Sequence, residues 1–320
     1  MPQVTGTPGT HPIGEAQGRT YPLPCAGHCV YYKTRCRRQM PRDHRVLDRA
    51  AKLSPDGRTV ALVFGTIDFV ELALNWACHA LAVGVRWFVL VAMDVAMHER
   101  LLGTSGMRMH TMLLPRVRDG NVTLTKLNVI GERQLFGLSV LSRGLSVVHS
   151  DADALWIRNP FPLFSGGDVV AERIWCGRVR PSLHPLKTEV AHLSPIVRYA
   201  HACLRGKPLS VVKAWGAGLC TGFYYLRSTP AVVGLARTVQ HEITLKRIRQ
   251  PGWQASDQYY VNTVLHGYGV RWASSQKMEG AQSMATRYHD GNASVGVAHT
   301  PQGRLQLVLL AHNVVPRACP

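Results

Sequence analysis

The sequence has few acidic residues and no long apolar run. Its 320 residues include 19 Asp and Glu against 37 Lys and Arg, which leaves a formal net charge of +18. This balance favours anionic partners such as nucleotide diphosphates, acidic glycans, anionic membranes or nucleic acid, without choosing among them. No apolar stretch approaches the roughly 18 residues that span a bilayer, and the first residues lack the apolar core of a signal peptide. We therefore expect no transmembrane segment in this chain, so it is either soluble or anchored by a segment outside the sequence.

The signatures of zinc fingers and of common nucleic-acid-binding domains are also missing. No second Cys/His pair at finger spacing follows Cys25, His28, Cys29 and Cys36, which favours thiols or disulfides in a tail over a zinc site. The basic residues are not interleaved with exposed aromatic residues, and neither an RRM-type signature nor a KH-type loop occurs. A nucleic-acid-binding protein remains an alternative that rests on net charge alone, and we predict no specific nucleic-acid partner.

Residues 1–58 are rich in Pro, Gly, Arg and His and show little apolar periodicity. This composition predicts a disordered or loosely attached basic extension, followed by one α/β domain over residues 59–320. The triplets that begin at Asn121 and Asn292 match the N-glycosylation sequon, which would permit glycosylation in a secretory lumen. Such triplets are common by chance and do not prove that compartment.

From residue 59 onward, short apolar runs alternate with helical patterns. Strands are predicted over residues 59–64, 87–93, 107–114 and 145–149. Helices are predicted from an N-cap at Asp68 to near Gly84, through about Leu102, and over residues 132–142. This alternation indicates right-handed βαβ units and a mixed, mostly parallel sheet with helices on both faces.

Two acidic residues, Asp151 and Asp153, follow the last of these strands. Ligands of open parallel sheets bind beyond the carboxyl ends of the strands, and residues two apart in extended backbone point the same way. Two carboxylates at one point repel each other unless a cation lies between them, and oxygen ligands suit Mg²⁺ or Mn²⁺. We therefore predict a metal site that also binds a diphosphate. A solvated turn is the alternative, and the apolar segment 154–164, with Pro160 and Pro162, favours the metal site.

The segment Ser150-Asp-Ala-Asp-Ala-Leu-Trp-Ile-Arg-Asn-Pro160 resembles the metal-binding signature of the nucleotide-diphospho-sugar transferase family. This family includes plant and algal cell-wall arabinosyl-, xylosyl- and galactosyltransferases. Further segments resemble family motifs in the same order: residues 74–94, residues 219–229 with an Asn-Thr-Gly-like strand, Asp257-Gln258 with Asn262, and residues 314–319 with a Pro-Arg-Gly-Cys-like end. The resemblance extends from about residue 59 to the C-terminus.

The resemblance implies a GT-A type, Rossmann-like α/β fold that transfers a sugar, with retention, from a UDP-sugar to a glycan or glycoprotein hydroxyl. It also implies Mn²⁺ or Mg²⁺ as cofactor and a location in the Golgi lumen. The site residues that it implies are Asp151 and Asp153 for the metal, Thr66, Asp68, Ser150, Asp151, Thr221 and Gly222 for the donor, and Asp257 and Gln258 as catalytic residues beside the transferred sugar and acceptor. Because the departing phosphate can accept the acceptor proton, we assign no protein base.

Three features depart from the family pattern. Cys220 stands where Asn is usual, which puts a polar sugar contact in doubt, and Asp68 stands where Asn is usual. The sequence stops at Pro320, before the region in which many GT-A enzymes supply a His as third metal ligand, which is the pattern of a truncated domain. His299 and His312 are candidates for that role, against the alternative of ordinary core or surface histidines. A catalytically silent relative that acts as a partner or scaffold remains open.

Overall fold

The computed structural model describes residues 41–118, 120, 129–174, 218–249, 257–272 and 294–310. The helices are α1 (Pro41–Lys52), α2 (Val70–Ala82), α3 (Val95–Leu102), α4 (Pro115–Arg118), α5 (Val129–Leu141), α6 (Pro230–Arg249) and α7 (Asp257–Gly267). The strands are β1 (Thr59–Gly65), β2 (Phe88–Ala92), β3 (Thr111–Leu113), β4 (Ser146–Ser150), β5 (Val169–Ile174), β6 (Gly218–Leu226), β7 (Arg271–Trp272), β8 (Ser294–Thr300) and β9 (Gly303–Leu310). Short 3₁₀ turns cover Ile67–Phe69, Arg108–His110 and Phe161–Gly166.

The strands form one nine-stranded sheet in the order β3-β2-β1-β4-β6-β5-β9-β8-β7. Strands β3, β2, β1 and β4 are mutually parallel, and β6 runs antiparallel between β4 and β5. The carboxyl ends of β1, β2 and β4 therefore lie at one edge of the sheet. Because Leu62 of β1 is paired with His149 of β4, the residues that follow these two strands emerge side by side.

Alternating side chains of the central strands pack against helices on opposite faces. Val60 and Leu62 belong to a core shared with α1, α5, α6 and α7, whereas Ala61 and Val63 belong to a core shared with α2 and α3. A strand that is apolar at every position can satisfy both cores at once, since successive side chains point to opposite faces. The predicted mixed α/β sheet with helices on both faces is confirmed.

Strands β1, β2 and β4 lie within one residue of their predicted bounds, whereas β3 is shorter than predicted. The 3₁₀ turn Arg108–His110 occupies its expected start, and the hydroxyl of Thr111 closes that turn by donating to the carbonyl of Met107 at 2.8 Å. The N-cap predicted at Asp68 is wrong. Asp68 lies exposed within the 3₁₀ turn Ile67–Phe69, and α2 begins after it without a side-chain cap.

Helix α1 lies inside the predicted extension 1–58 and packs on the sheet. Leu47, Ala50 and Ala51 are buried on one side of it, whereas Arg45, Arg49 and Lys52 are exposed. The buried residues give the helix an apolar side that faces the core. The many basic residues around them made the segment look like part of a disordered extension. The candidate zinc residues Cys25, His28, Cys29 and Cys36 and both sequons lie outside the described residues. Among the described residues, no helix combines the length and apolar character that crossing a membrane requires.

Asp94 joins the loops that follow β1 and β2. Its Oδ1 accepts the N–H of Met97 at 2.7 Å and caps α3, while its Oδ2 accepts the N–H of Ile67 at 2.9 Å.

Asp94→Ala is expected to lower the free energy of unfolding by about 1–2 kcal/mol, because the cap and the loop contact are lost together. Urea denaturation tests this. Asp94→Asn is the control, since it keeps an oxygen acceptor and should lower the free energy of unfolding by less. An unchanged stability in Asp94→Ala would contradict the assignment.

Candidate functional site

The acidic pair lies in a turn at the carboxyl end of β4. The N–H of Asp151 donates to the carbonyl of Gly222 at 2.7 Å, and the N–H of Ala154 donates back to the carbonyl of Asp151 at 3.1 Å. The Asp151 side chain is 39 % exposed, and Asp153 is exposed. The two carboxylates thus emerge from a turn and not from the extended backbone that the sequence argument assumed, so a shared direction does not follow from their spacing.

The buried side chains of Trp76 and Trp156 pack beneath this turn. The indole N–H of Trp76 lies 3.0 Å from Oγ of Ser150 and 3.2 Å from the carbonyl of Ala154. Trp156 packs edge-on against Trp76 with ring centroids 4.7 Å apart. The hydroxyl of Ser150, a predicted donor contact, is fully buried and also donates to the carbonyl of Asp151 at 3.2 Å. The apolar residues after the acidic pair therefore hold the turn against the core, as the sequence predicted.

Trp76→Phe is expected to lower the free energy of unfolding by about 1–3 kcal/mol more than Trp156→Phe. Both changes shrink a buried indole, but Trp76 loses a donor shared by Ser150 and Ala154, whereas Nε1 of Trp156 has no hydrogen-bond partner among the described residues. Chemical denaturation of the two variants measures the difference. If both variants lost the same free energy of unfolding, the indole hydrogen bond of Trp76 would not stabilise the turn.

Arg133 of α5 links the acidic turn to the start of α7. Its Nη2 lies 3.3 Å from Oδ1 of Asp151 and 3.5 Å from Oδ2 of Asp257. The arginine side chain is 19 % exposed and that of Asp257 only 8 %. Burial alone would lower the pKa of Arg133, but the Asp257 and Asp151 carboxylates outweigh burial and raise it. One guanidinium thus faces two carboxylates that come from distant parts of the chain.

Asp257 is a buried carboxylate with a nearly complete set of hydrogen bonds. Its Oδ1 accepts from the hydroxyl of Thr221 at 2.8 Å and from the N–H of Gln258 at 2.9 Å. Its Oδ2 lies 3.2 Å from Nε2 of Gln134, in addition to the Arg133 contact. Asp257 is the first residue of helix α7, and it also faces the same cation as Asp151. A buried charge held in this way is oriented without freedom to rotate.

Thr221 and Gly222 lie on strand β6, where its pairing with β5 is irregular. The pairing register jumps from Leu219 opposite Arg173 to Tyr224 opposite Ala171, so the segment between them bulges out of the ladder. Bulges of this kind often redirect side chains beside functional sites. Cys220 is buried within the bulge, where its sulfur accepts from the N–H of Gly222 at 3.4 Å.

Asn262 fixes the start of this strand against α7. Its Oδ1 accepts the N–H of Leu219 at 2.8 Å, and its Nδ2 donates to the carbonyls of Leu219 at 3.0 Å and Gln258 at 2.7 Å. The family-like Asp-Gln motif and the strand that resembles the Asn-Thr-Gly motif are thus joined by direct hydrogen bonds. The structure brings together Asp151, Thr221, Gly222 and Asp257, with Gln258 beside them.

His149 lies beneath Asp151 in a sandwich of aromatic rings. Its ring stacks on Phe64 at 5.6 Å and on Tyr224 at 5.0 Å. Nε2 lies within hydrogen-bond distance of Nη2 of Arg133 and 3.3 Å from Oδ1 of Asp151. Burial lowers the pKa of His149, and the charge of Arg133 lowers it further, so the ring is neutral. Because a guanidinium only donates, we assign Nε2 as the acceptor of the closer contact, with Arg133, which places the ring proton on Nδ1 and leaves no proton for the Asp151 contact.

Tyr224 completes the polar surroundings of Asp257. Its hydroxyl lies 3.2 Å from Nε2 of Gln134, which also reaches the Asp257 carboxylate. Burial, followed by the charge of Asp257, raises the pKa of Tyr224, so the phenol stays protonated. It can therefore act as a donor or an acceptor of hydrogen bonds, but not as a further anion beside Asp151 and Asp257.

The remaining predicted residues lie further from this cluster. Thr66 and Asp68 follow β1 at the same edge of the sheet, one strand from the acidic turn. His299 is exposed on β8, which is separated from β4 by β6, β5 and β9, or about 19 Å at the usual strand spacing. His299 is therefore a surface histidine, and His312 lies outside the described residues. Within the described part of the chain, no group of three or more His, Cys, Asp or Glu side chains converges as a metal site.

Sequence reasoning missed Arg133, Gln134, His149 and Tyr224. Two of them carried a usable signal. Arg133 is a lone cation with Glu132 and Gln134 in an otherwise apolar helix, and His149 interrupts a strand that is buried at every position. A polar side chain in such a place needs a partner, and Asp151 follows His149 by only two residues.

Comparison with known proteins identifies one matching family. The profile of the nucleotide-diphospho-sugar transferase family matches residues 83–280, a span that includes Arg133, the acidic turn and Asp257. No curated protein matches the chain significantly.

Similar solved structures include the glycosyltransferase GlyE of Streptococcus pneumoniae TIGR4, at 12 % identity and a TM-score of 0.34, over 65 % of this chain and 43 % of GlyE. They also include the galactosyltransferase LgtC in complex with donor and acceptor sugar analogues, at 11 % identity and a TM-score of 0.36, over 63 % of this chain and 69 % of LgtC. This chain thus spans less than half of the length of GlyE.

Proposed function

This chain belongs to the nucleotide-diphospho-sugar transferase family and is a glycosyltransferase, and we propose that it moves a sugar from a UDP-sugar to a hydroxyl group of a glycan or glycoprotein. The proposed transfer uses a GT-A type site, a divalent metal and retention of the anomeric configuration. The observation that supports it most is the bridge from Arg133 to Asp151 and Asp257, because it joins the family's two acidic motifs at the carboxyl edge of the parallel strands.

The acidic turn fits a hard divalent cation that a nucleotide shares. Mg²⁺ and Mn²⁺ are commonly held by one or two carboxylates together with substrate phosphates, so Asp151 and Asp153 can suffice without a third protein ligand. Exposure of Asp153 and partial exposure of Asp151 leave both accessible to solvent and therefore to a nucleotide. Such a cation neutralises negative charge on the departing nucleoside diphosphate.

Asp257 and Gln258 are proposed to contact the transferred sugar. A carboxylate that is already oriented by Thr221, Gln134 and a main-chain N–H can accept a sugar hydroxyl without reorganising. Arg133 adds a fixed positive charge beside it, and Nε of Arg133 is buried without a hydrogen-bond partner among the described residues. These groups orient the sugar, while Thr66 and Asp68 at the end of β1 are proposed to lie against the nucleoside.

In a retaining transfer of this kind, the acceptor oxygen attacks the anomeric carbon on the face from which the diphosphate departs. The carbon–oxygen bond to the diphosphate breaks, the new glycosidic bond forms, and the acceptor proton passes to the departing phosphate. No protein base is then required. The neutral His149 and the protonated Tyr224 fit this assignment, since both side chains are buried and neither is an exposed base.

A donor panel tests the proposal directly. Purified protein with Mn²⁺ is incubated with individual UDP-sugars and simple glycan acceptors, UDP release is measured, and the product anomer is assigned by NMR. We expect release from one or a few UDP-sugars and a product with the donor's anomeric configuration. No release from any nucleotide sugar, with or without metal, would favour the silent scaffold instead.

A further inference from the structure

We propose that His149 is a positioning residue whose Nε2 lone pair fixes the guanidinium of Arg133 between Asp151 and Asp257. The contact itself is independent of the proposed function, but its consequence for donor affinity rests on that function. His149 thereby sets how strongly the site binds the sugar donor, although it does not touch the donor.

The fold places the histidine ring where it cannot turn away. His149 is paired with Leu62 of β1 and with Tyr224 of β6, and it is 3 % exposed. Phe64 covers one face of the imidazole at an interplanar angle of 26°, and Tyr224 covers the other at 22°. Residues of three neighbouring strands thus enclose the ring, and Nε2 faces Nη2 of Arg133 and Oδ1 of Asp151.

The guanidinium needs this acceptor because its contacts are crowded. Nη2 carries two N–H bonds but faces three acceptors: Nε2 of His149, Oδ1 of Asp151 and Oδ2 of Asp257. Without a directional partner, the group could rotate toward either carboxylate and leave the other without a cation. A neutral nitrogen acceptor fixes the direction of one N–H and leaves the positive charge for the two carboxylates.

A purely structural role would not explain a polar ring at this position. Phenylalanine could occupy the same sandwich between Phe64 and Tyr224 and would avoid burying a polar side chain, which costs free energy unless its hydrogen bonds are made. Nε2 of His149 meets that cost through Arg133, so the histidine provides an acceptor that phenylalanine lacks.

The test is a double-mutant cycle of His149→Phe with Arg133→Lys, which keeps the charge but not the planar fork. In the otherwise native protein, we expect His149→Phe to raise the donor KM about tenfold with little change in kcat. In the Arg133→Lys background the same change should alter KM less than twofold, because the group that His149 positions is absent. His110→Phe is the matched control. His110 also stacks on an aromatic ring, Phe88 at 4.2 Å, but it lies beside β3, away from the acidic turn. If His149→Phe changed the donor KM by the same factor in both backgrounds, the proposal would be overturned.

A second measurement does not depend on catalysis. In protein labelled with ¹⁵N-arginine, hindered rotation of the Arg133 guanidinium should give separate Nη signals in the parent and in His110→Phe. These signals should merge in His149→Phe. Equal rotation in the parent and in His149→Phe would overturn the positioning role, whereas absence of turnover with every donor would overturn only the proposed function.

Discussion

Replacing Asp153 with alanine is expected to lower turnover about a hundred- to a thousandfold. The reason is that one of two protein ligands of the proposed metal is lost, and a bound cation contributes several kcal/mol to charge stabilisation in such reactions. The fold should not suffer, because Asp153 is exposed at the tip of a turn whose anchors are Trp76 and Ala154. We therefore expect the free energy of unfolding to change by no more than about 0.5 kcal/mol.

The measurement is the rate of UDP release with Mn²⁺ and the preferred donor, together with urea denaturation of the same samples. Glu99→Ala is the matched control, since Glu99 is an exposed carboxylate on α3 outside the Arg133 cluster. It should keep both the parent rate and the parent stability. Turnover of Asp153→Ala equal to that of Glu99→Ala would remove Asp153 from the site.

Arg133→Met is expected to lower the free energy of unfolding by about 3–5 kcal/mol. Methionine fills much of the same volume but leaves Asp257, with a side chain only 8 % exposed, without its cation. Removing one partner of a buried ion pair is costly because the other charge stays buried. Donor binding should weaken as well, since Asp151 and Asp257 then repel each other across the site.

Arg143→Met provides the comparison, because Arg143 pairs with Asp48 at 2.9 Å but both side chains are more exposed. An exposed pair of this kind contributes about 1 kcal/mol or less. Urea denaturation of the two variants measures the difference. Similar losses would mean that the Arg133 cluster is not the buried, coupled network that its geometry indicates.

Much of the fold was predictable because local patterns determine it. The continuous apolar runs before Gly65 and Asp94, and the shorter one before His149, indicated strands buried on both faces, and the helical patterns between them indicated parallel crossovers. The acidic turn was recognisable for the same reason, since a charged pair directly after a buried strand must lie at the sheet edge. These inferences use residues that are close in sequence.

The partner of the acidic turn was not predictable in this way. Arg133, Asp151 and Asp257 come from three segments whose contact depends on how α5 and α7 pack over the same sheet face. No sequence period encodes that contact. Asp257 alone was compatible with a simple helix start, and only its burial beside Thr221 and Arg133 distinguishes the two roles.

The two local errors have identifiable physical causes. Asp68 has the residue type of an N-cap, but a 3₁₀ turn precedes α2 and Asp94, from the next loop, binds the N–H of Ile67 instead. Helix α1 was hidden in a basic segment because its core-facing side is a narrow stripe that includes Val46, Leu47 and Ala50. A tertiary contact thus explains the wrong N-cap at Asp68, and a narrow apolar stripe explains why helix α1 was not predicted.

The central claim is that the acidic turn holds a divalent cation together with the diphosphate of the donor. Calorimetric titration of UDP into the parent protein and into Asp153→Ala, each with Mn²⁺ and with the metal removed by a chelator, tests it most directly. The account predicts tight binding only in the parent with Mn²⁺, and at least about tenfold weaker binding in the other three samples. UDP affinity that is the same in all four samples would contradict it.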